Sequence, residues 1–401
     1  MAREIILQKL PVGWSYNLLD NIAERCSGHT PSKSFPEYWN GGIKWISLAD
    51  SCRLDKGYVY ETDKEISLEG IKNSSAEVHP AETVVLSRDA GVGKSGIMAT
   101  PMAVSQHFIA WKCDNKEKLH SWYLYNWLQL NKEEFERQAV GSTIKTIGLP
   151  YFKKLRIAVP PFDEQKKIAQ ILSTWDKAIS VTEKLLTNSQ QQKKALMQQL
   201  LTGKKRLLDE NGVRFSGEWK QDVNLGSIIN ISKGVQINKN TLSEDGQFPV
   251  INGGIAPSGF TSEFNTDENT ITISEGGNSC GYVAFQKKSF WCGGHCYAVR
   301  KTALDLSFTF HLLKYNELKI MGLRVGSGLP NIQKKAIEAF TVNFPVTSVE
   351  QQKIAAVLSA ADDEIATLEK KLACLKDEKK ALMQQLLTGK RRVKIDEAVA
   401  A

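Results

Sequence analysis

Long apolar runs are missing from this chain of 401 residues. No stretch approaches the roughly 18 apolar residues of a membrane-spanning helix, and Met1 to Gly13 lacks the apolar core of a signal peptide. The expectation is a cytoplasmic protein with no membrane contact. Polar low-complexity tracts are absent as well, and a hydrophobic content of 42% is ample for globular cores. Cysteine is sparse: seven residues, odd in number and scattered, fit reduced thiols better than a disulfide framework. The one cluster is Cys292-Gly-Gly-His295-Cys296, with Cys280 nearby. It has no paired CxxC partner and its flanks read as strands, so buried sheet cysteines are expected there rather than a metal site.

Catalytic motifs are lacking too. Ala90-Gly91-Val92-Gly93-Lys94-Ser95 invites a phosphate-loop reading, but the pattern needs a glycine where Arg88 stands. There is no Gly-rich methyl-donor loop and no Asn-Pro-Pro-aromatic tetrad. Helicase-type and nuclease-type carboxylate sets are also absent. The six histidines lie far apart without metal or triad spacing. A binding protein with no catalytic residue, metal or cofactor of its own is the expectation.

What the chain does have is a repeat. Lys193 to Lys204 reads KKALMQQLLTGK, and Lys379 to Lys390 is identical, at an offset of 186 that holds back to Glu164 and Glu350. Self-similarity on this scale fixes the architecture before any other feature. In the second copy Ile354, Leu358, Ala361, Ile365, Leu368, Leu372, Leu375, Lys379, Leu382 and Leu386 follow 4-3-4-3 spacing, and the first copy keeps the register from Ile168 to Leu200. That period makes a coiled-coil seam on one helix face. Both copies end in Thr-Gly and basic residues, which suits a left-handed glycine cap and the negative end of the helix dipole. A helix from Glu164 to Thr202 would be about 58 Å long.

Two such helices are expected to run antiparallel with their seams together. The predicted fold class is α+β: two homologous α/β domains separated by the two helices, with pseudo-twofold symmetry. The boundaries read as domain one at 1–160, a central helix at 161–206, domain two at 207–347, a distal helix at 348–392 and a tail at 393–401. In domain one, strands are expected at Ile43–Leu48 (entered from the turn Asn40-Gly41-Gly42), Thr83–Ser87, His107–Trp111 and Leu155–Val159, with a helix over Leu119–Arg137. Domain two repeats the order with strands at Phe248–Ile251, Thr270–Ile273 and Ala339–Phe344 and a helix at Phe308–Leu323. Gly326-Ser327-Gly328 stands where Gly141-Ser142-Thr143 stood. Ser348 with Gln351 has the pattern of a capping box. Trp14, Trp39, Trp45, Trp111 and Trp291 read as core.

The net charge of +8 is spread along the chain, mild support for a polyanionic partner. Several motifs together resemble the specificity (S) subunit of type I restriction-modification systems. They are Gly28-His29-Thr30-Pro31-Ser32, then Tyr38-Trp39-Asn40-Gly41-Gly42-Ile43-Lys44-Trp45-Ile46, Gly141-Ser142-Thr143, Pro160-Pro161-Phe162-Asp163-Glu164-Gln165 and the duplicated LLTGK helix end. The ordered set spans nearly the whole chain. The resemblance implies two target-recognition domains, each reading one half of a bipartite, asymmetric site on double-stranded DNA. It implies that the helices set the gap and dock two methyltransferase (M) subunits, and that restriction (R) subunits join the complex. S-adenosylmethionine, ATP and Mg are then expected on the partner subunits.

Exposed loop residues with donors are the candidates for DNA contact. In domain one these are Thr30, Ser32, Lys33, Lys44, Arg88, Lys94, Ser142, Thr143 and Lys145. In domain two they are Lys233, Gln236, Asn238, Lys239, Asn252, Asn278, Arg324, Ser327, Asn331, Gln333 and Lys334. Outer helix faces carrying Gln165, Lys166, Gln198 and Gln199, repeated as Gln351, Gln352, Gln384 and Gln385, are the candidates for docking one partner twice. The competing reading is a coiled-coil adaptor joining two protein-binding domains.

Overall fold

The computed structural model describes residues 10–113, 118–326, 328 and 330–394. Along domain one run β1 (Ser15–Leu18), β2 (Glu24–Ser27), β3 (Trp39–Ile46), β4 (Tyr58–Val59), β5 (Lys64–Ile66), α1 (Leu68–Lys72), β6 (Val84–Ser87), β7 (Ser95–Met98), β8 (Ala103–Val104) and β9 (Phe108–Lys112). Helices α2 (Ser121–Leu130), α3 (Lys132–Gln138) and α4 (Leu149–Phe152) follow, then β10 (Arg156–Val159) and the long helix α5 (Phe162–Leu200). The second half holds β11 (Trp219–Asn224), β12 (Ile229–Lys233), β13 (Phe248–Ile251), β14 (Phe260–Thr261), β15 (Thr270–Ser274), β16 (Val283–Gln286), β17 (Trp291–Cys292) and β18 (Cys296–Thr302). It closes with α6 (Leu306–Tyr315), α7 (Glu317–Met321), α8 (Lys334–Ala339), β19 (Thr341–Pro345) and α9 (Ser348–Leu386).

The chain divides into two compact units, residues 1–182 with 371–401, and residues 183–370. In the first, a five-stranded sheet has the order β2-β9-β6-β7-β4, flanked by the three-stranded β5-β3-β8 and the pair β1-β10. The central β6, Val-Val-Leu-Ser, is buried along its whole length, as expected of a β-branched run with neighbours on both edges. Trp111, Tyr123, Leu124, Phe135 and Phe152 form the core between sheet and helices. Ile168 and Leu172 of α5 and Met383 and Leu386 of α9 enter that same core.

The second unit repeats the plan with fewer strands: β12-β18-β15-β16, β14-β13-β17 and β11-β19. Its core takes Ile354 and Leu358 from α9 and Leu200 from α5, the counterparts at the repeat offset. Seam positions near the helix ends therefore pack on domain cores as well as on each other. Along the rest of α9 the seam is thinner, with Ile365, Leu368, Leu372 and Leu375 half-buried.

In each unit the beginning of one long helix lies beside the end of the other, so they run antiparallel. In the first unit Lys379 Nζ bonds Asp176 Oδ1 at 2.6 Å, and Arg392 grips Glu164 through two bonds of 2.7 Å. In the second, Lys193 pairs with Asp362 and Arg206 grips Glu350. These are the same pairs with the two copies exchanged. Gly203 and Gly389 sit at φ +69° and +73°, the left-handed caps that the Thr-Gly ends foretold.

Four local expectations need correction. The helix expected over Leu119–Arg137 breaks at Asn131, whose Nδ2 takes the Trp127 carbonyl at 2.8 Å. The one expected over Phe308–Leu323 breaks at Asn316, whose Nδ2 takes the Leu312 carbonyl at 2.9 Å. Asparagine competes for backbone partners in this way, and a helix pattern does not reveal it. Asn40-Gly41-Gly42 is an irregularity inside β3, with Asn40 at φ 58° and Gly42 at 82°, rather than a turn before it. Gln351 makes no capping box: its amide donates to the Pro345 carbonyl and accepts from Asp305 N–H.

Candidate nucleic-acid interface

At one end of the domain-one sheet, four chain segments are laced together by backbone bonds. The loop after β2 joins the segment before β9 through His29 N–H to Val104 O at 3.0 Å. The loop after β6 joins it through Arg88 N–H to His107 O at 2.9 Å. The fourth, residues 140–147, is closed by the mutual bonds of Val140 and Thr146 and tied to β6's loop by Ile147 N–H to Arg88 O at 3.0 Å. Gly28 is required here, because a Cβ would lie 2.2 Å from Val104 O and 2.3 Å from Ser105 O.

The same lacing recurs in domain two. Val235 N–H meets Cys292 O at 2.8 Å, Glu275 N–H meets His295 O at 2.9 Å, and Ile332 N–H meets Glu275 O at 2.8 Å. Val325 and Asn331 close the fourth segment. A Cβ on Gly234 would lie 2.3 Å from Cys292 O and 2.4 Å from Gly293 O. Indoles clamp both frames: Trp45 Nε1 donates to His29 O at 3.1 Å, and Trp291 Nε1 to Val235 O at 2.8 Å. Trp45 lies on β3 opposite Ala103 of β8, whereas Trp291 lies on β17 opposite Val250 of β13, so the indole has changed strands and kept its bond.

On this shared frame the side chains differ. Thr30, hydrogen-bonded to Gln106, stands where Gln236 stands in domain two. Arg88 matches Glu275, a reversal of charge. Arg88 Nε and Asp89 Oδ1 are buried without a hydrogen-bond partner, in an ion pair whose nearest N–O approach is 3.8 Å. Glu275 instead receives Lys233 at 2.6 Å and the Tyr297 hydroxyl at 3.2 Å. Burial, then Glu275 itself, pushes the Tyr297 hydroxyl up to about 12, so it stays a proton donor.

The frame gathers most of the expected contact residues. Ser32, Lys33, Ser142, Thr143 and Lys145 are exposed on the domain-one loops; in domain two Lys233 at the end of β12, Gln236, Asn238, Lys239, Asn278, Arg324, Asn331, Gln333 and, at the start of α8, Lys334 are exposed. Ser327 lies outside the described residues. Besides Thr30 and Lys233, bonded to Gln106 and Glu275, further candidates already have protein partners. Lys44 Nζ bonds Tyr60 O and Glu61. Lys94 Nζ bonds Ser51, and its glycine turn leads into strand β7 rather than a helix, so no helix N-terminus faces a phosphate there. Asn252 spends its Oδ1 on His295 N–H at 3.0 Å.

On the long helices, Lys166, Gln198, Gln199, Gln352, Gln384 and Gln385 are exposed. Gln165 and Gln351 are not on an outer face. They are 1% and 3% exposed, and Gln165 bonds Lys118 O, Pro160 O and His120 N–H. A glutamine after the helix start reads as polar surface in a sequence, but here it closes the joint between strand and helix. Cys280, Cys292 and Cys296 are buried. Among the described residues no group of three or more His, Cys, Asp or Glu side chains gathers as a metal site, and no helix is long and apolar enough to cross a membrane.

The histidines at the frame, His107 and His295, escaped the sequence reading. They lie 188 apart, each three residues before an alanine (Ala110, Ala298), a drifted copy of the 186-residue repeat.

Fold and site together define a duplicated protein with two loop frames of one construction and different side chains. The chain belongs to the type I restriction modification DNA specificity domain family, which it matches at residues 11–188 and 217–377. Among its relatives is a putative type I specificity subunit of Mycoplasma pneumoniae, 37% identical over 141 residues, 34% of this chain and 37% of that protein. The alignments to this relative and the next two thus span less than half of each relative. The putative type I restriction enzyme MjaX specificity subunit of Methanocaldococcus jannaschii is 30% identical over 305 residues, 70% of each chain. In fold, the chain is similar to the crystal structure of the type I restriction-modification system S subunit from M. genitalium, with a TM-score of 0.66 at 19% identity, over 95% of this chain and 97% of that one.

Proposed function

We propose that this chain is the sequence-reading subunit of a type I restriction-modification complex. Each loop frame reads one half of a bipartite site on double-stranded DNA. One observation carries the reading: the backbone frame is kept in both domains while Thr30 gives way to Gln236 and Arg88 to Glu275. A constant scaffold with variable donors and acceptors is what reading two different half-sites requires. The duplicated helices set the gap and dock two methyltransferase subunits, each on an exposed set such as Lys166, Gln198 and Gln199 or its repeat. The names of the relatives as type I specificity subunits support this assignment.

In this reading the chain is not itself an enzyme. S-adenosylmethionine, ATP and Mg reside on the methyltransferase and restriction subunits, and the assembly works in the cytoplasm. The test is a genome-wide map of methylated adenines in cells carrying the chain with its partners. A two-part motif with a fixed unspecified gap is expected. A continuous motif, or DNA binding by the complex that shows neither sequence preference nor steep salt dependence, would favour the protein adaptor instead.

A further inference from the structure

Two of the six histidines occupy matching places in the two frames. The carbonyl of each is held by the loop after the neighbouring strand of the sheet, β6 or β15, from Arg88 N–H or Glu275 N–H, both at 2.9 Å. Each ring rests on a carboxylate from that loop. His107 Nδ1 lies 2.9 Å from Asp89 Oδ2, and His295 Nδ1 lies 3.5 Å from Glu275 Oε2. The carboxylates come from different positions, since Asp89 follows Arg88 whereas Glu275 replaces it. The arrangement has outlasted the residues that build it. Both rings remain open, with side-chain exposures of 34% and 61%, and neither Nε2 has a hydrogen-bond partner among the described residues.

Around these rings almost everything else differs: Thr30 with Gln106 on one side, Gln236 with Gly294 on the other. Two readers of unlike sequences have one thing in common to touch, the sugar-phosphate backbone. Contacts that differ between them choose letters, and contacts that stay alike hold the duplex. A ring whose Nδ1–H is engaged by a carboxylate offers a phosphate a donor at Nε2 once it carries its second proton, giving a charge-assisted bond.

We propose that His107 and His295 are matched phosphate contacts, one per domain, that seat each frame on the duplex without selecting bases. This rests on the DNA-reading function proposed above. The charged groups facing His107 are Asp89 and Arg88; those facing His295 are Glu275 and, through it, Lys233.

The experiment uses the full chain assembled with its methyltransferase subunits, a duplex carrying the mapped motif and a scrambled duplex. H107N and H295N are each expected to weaken binding to both duplexes about tenfold, the worth of one charge-assisted hydrogen bond, with the ratio between duplexes unchanged. The slope of log affinity against log salt should fall by about 0.9 for each variant. H107R and H295R, permanent cations, should restore affinity for both duplexes, which separates a lost contact from a misfolded loop. Altered letters in one half of the methylated motif would make the histidine a base reader and overturn the proposal. Unchanged affinity in H107N and H295N would overturn it too, leaving the rings a structural part. If the wild-type complex binds the mapped duplex no better than the scrambled one, the reading function falls and this inference with it.

Discussion

His311 shows how a single residue can make one half of a duplicated protein behave unlike the other. It is 1% exposed on α6, with Nε2 3.0 Å from Ser359 Oγ and Nδ1 3.9 Å from Asp362 Oδ2 on α9. Burial outweighs the pull of Asp362 and lowers the ring from 6.5 to about 4. The folded state therefore binds fewer protons than the unfolded chain over that interval. The contribution of neutral His311 is present in full above about pH 6.5 and is lost as pH falls toward 4, up to about 3 kcal/mol. The first unit carries Asn126 at the corresponding place on α2. Denaturant titration at neutral and mildly acid pH should show H311N losing less stability on acidification than the parent. Equal losses would remove His311 from the acid response.

At the scale of elements, the antiparallel helices were legible from their 4-3-4-3 spacing and duplicated ends, because a seam and a glycine cap are local facts of the sequence. The breaks at Asn131 and Asn316 were not, since each depends on an amide turning back on its own helix. The loops of the site were legible as glycine and polar turns. The pairing of His107 with Asp89 was not, because it needs strands 18 residues apart brought side by side. The helix ends also carry a quantitative expectation. Glu164 and Glu350 are each 1% exposed and held by Arg392 and Arg206. Removing the arginine leaves a buried carboxylate uncompensated; because the arginines are 42% and 19% exposed, the cost stays below the about 3–5 kcal/mol of a fully buried pair. R392Q and R206Q should each lower the melting temperature, and R392Q combined with E164Q should recover part of the loss. A double variant worse than the single would mean the pair contributes little.

For the molecule as a whole, the two units differ in how the chain supplies them. Residues 183–370 form one continuous stretch, whereas the first unit draws on 1–182 and on 371–401. In the second unit Arg206 reaches Gly217 O, 11 residues along; in the first, Arg392 reaches Val12 O, 380 residues away. A fragment of residues 1–182 lacks Met383, Leu386 and Leu387, which pack in its core, and the arginine that neutralises Glu164. It should show weak amide-exchange protection that rises when a peptide of residues 371–394 is added. The fragment 183–370 should be protected unaided. Equal protection of both fragments without the peptide would contradict this division.

The indole that holds the first loop frame has moved, in the second half, to the neighbouring strand. A hydrogen bond cannot slide from one strand to another by single small steps. Between the two arrangements, in single substitutions, lies a form with two tryptophans at this corner, or with none. Related chains with both indoles, or with neither, would show which of the two forms folds.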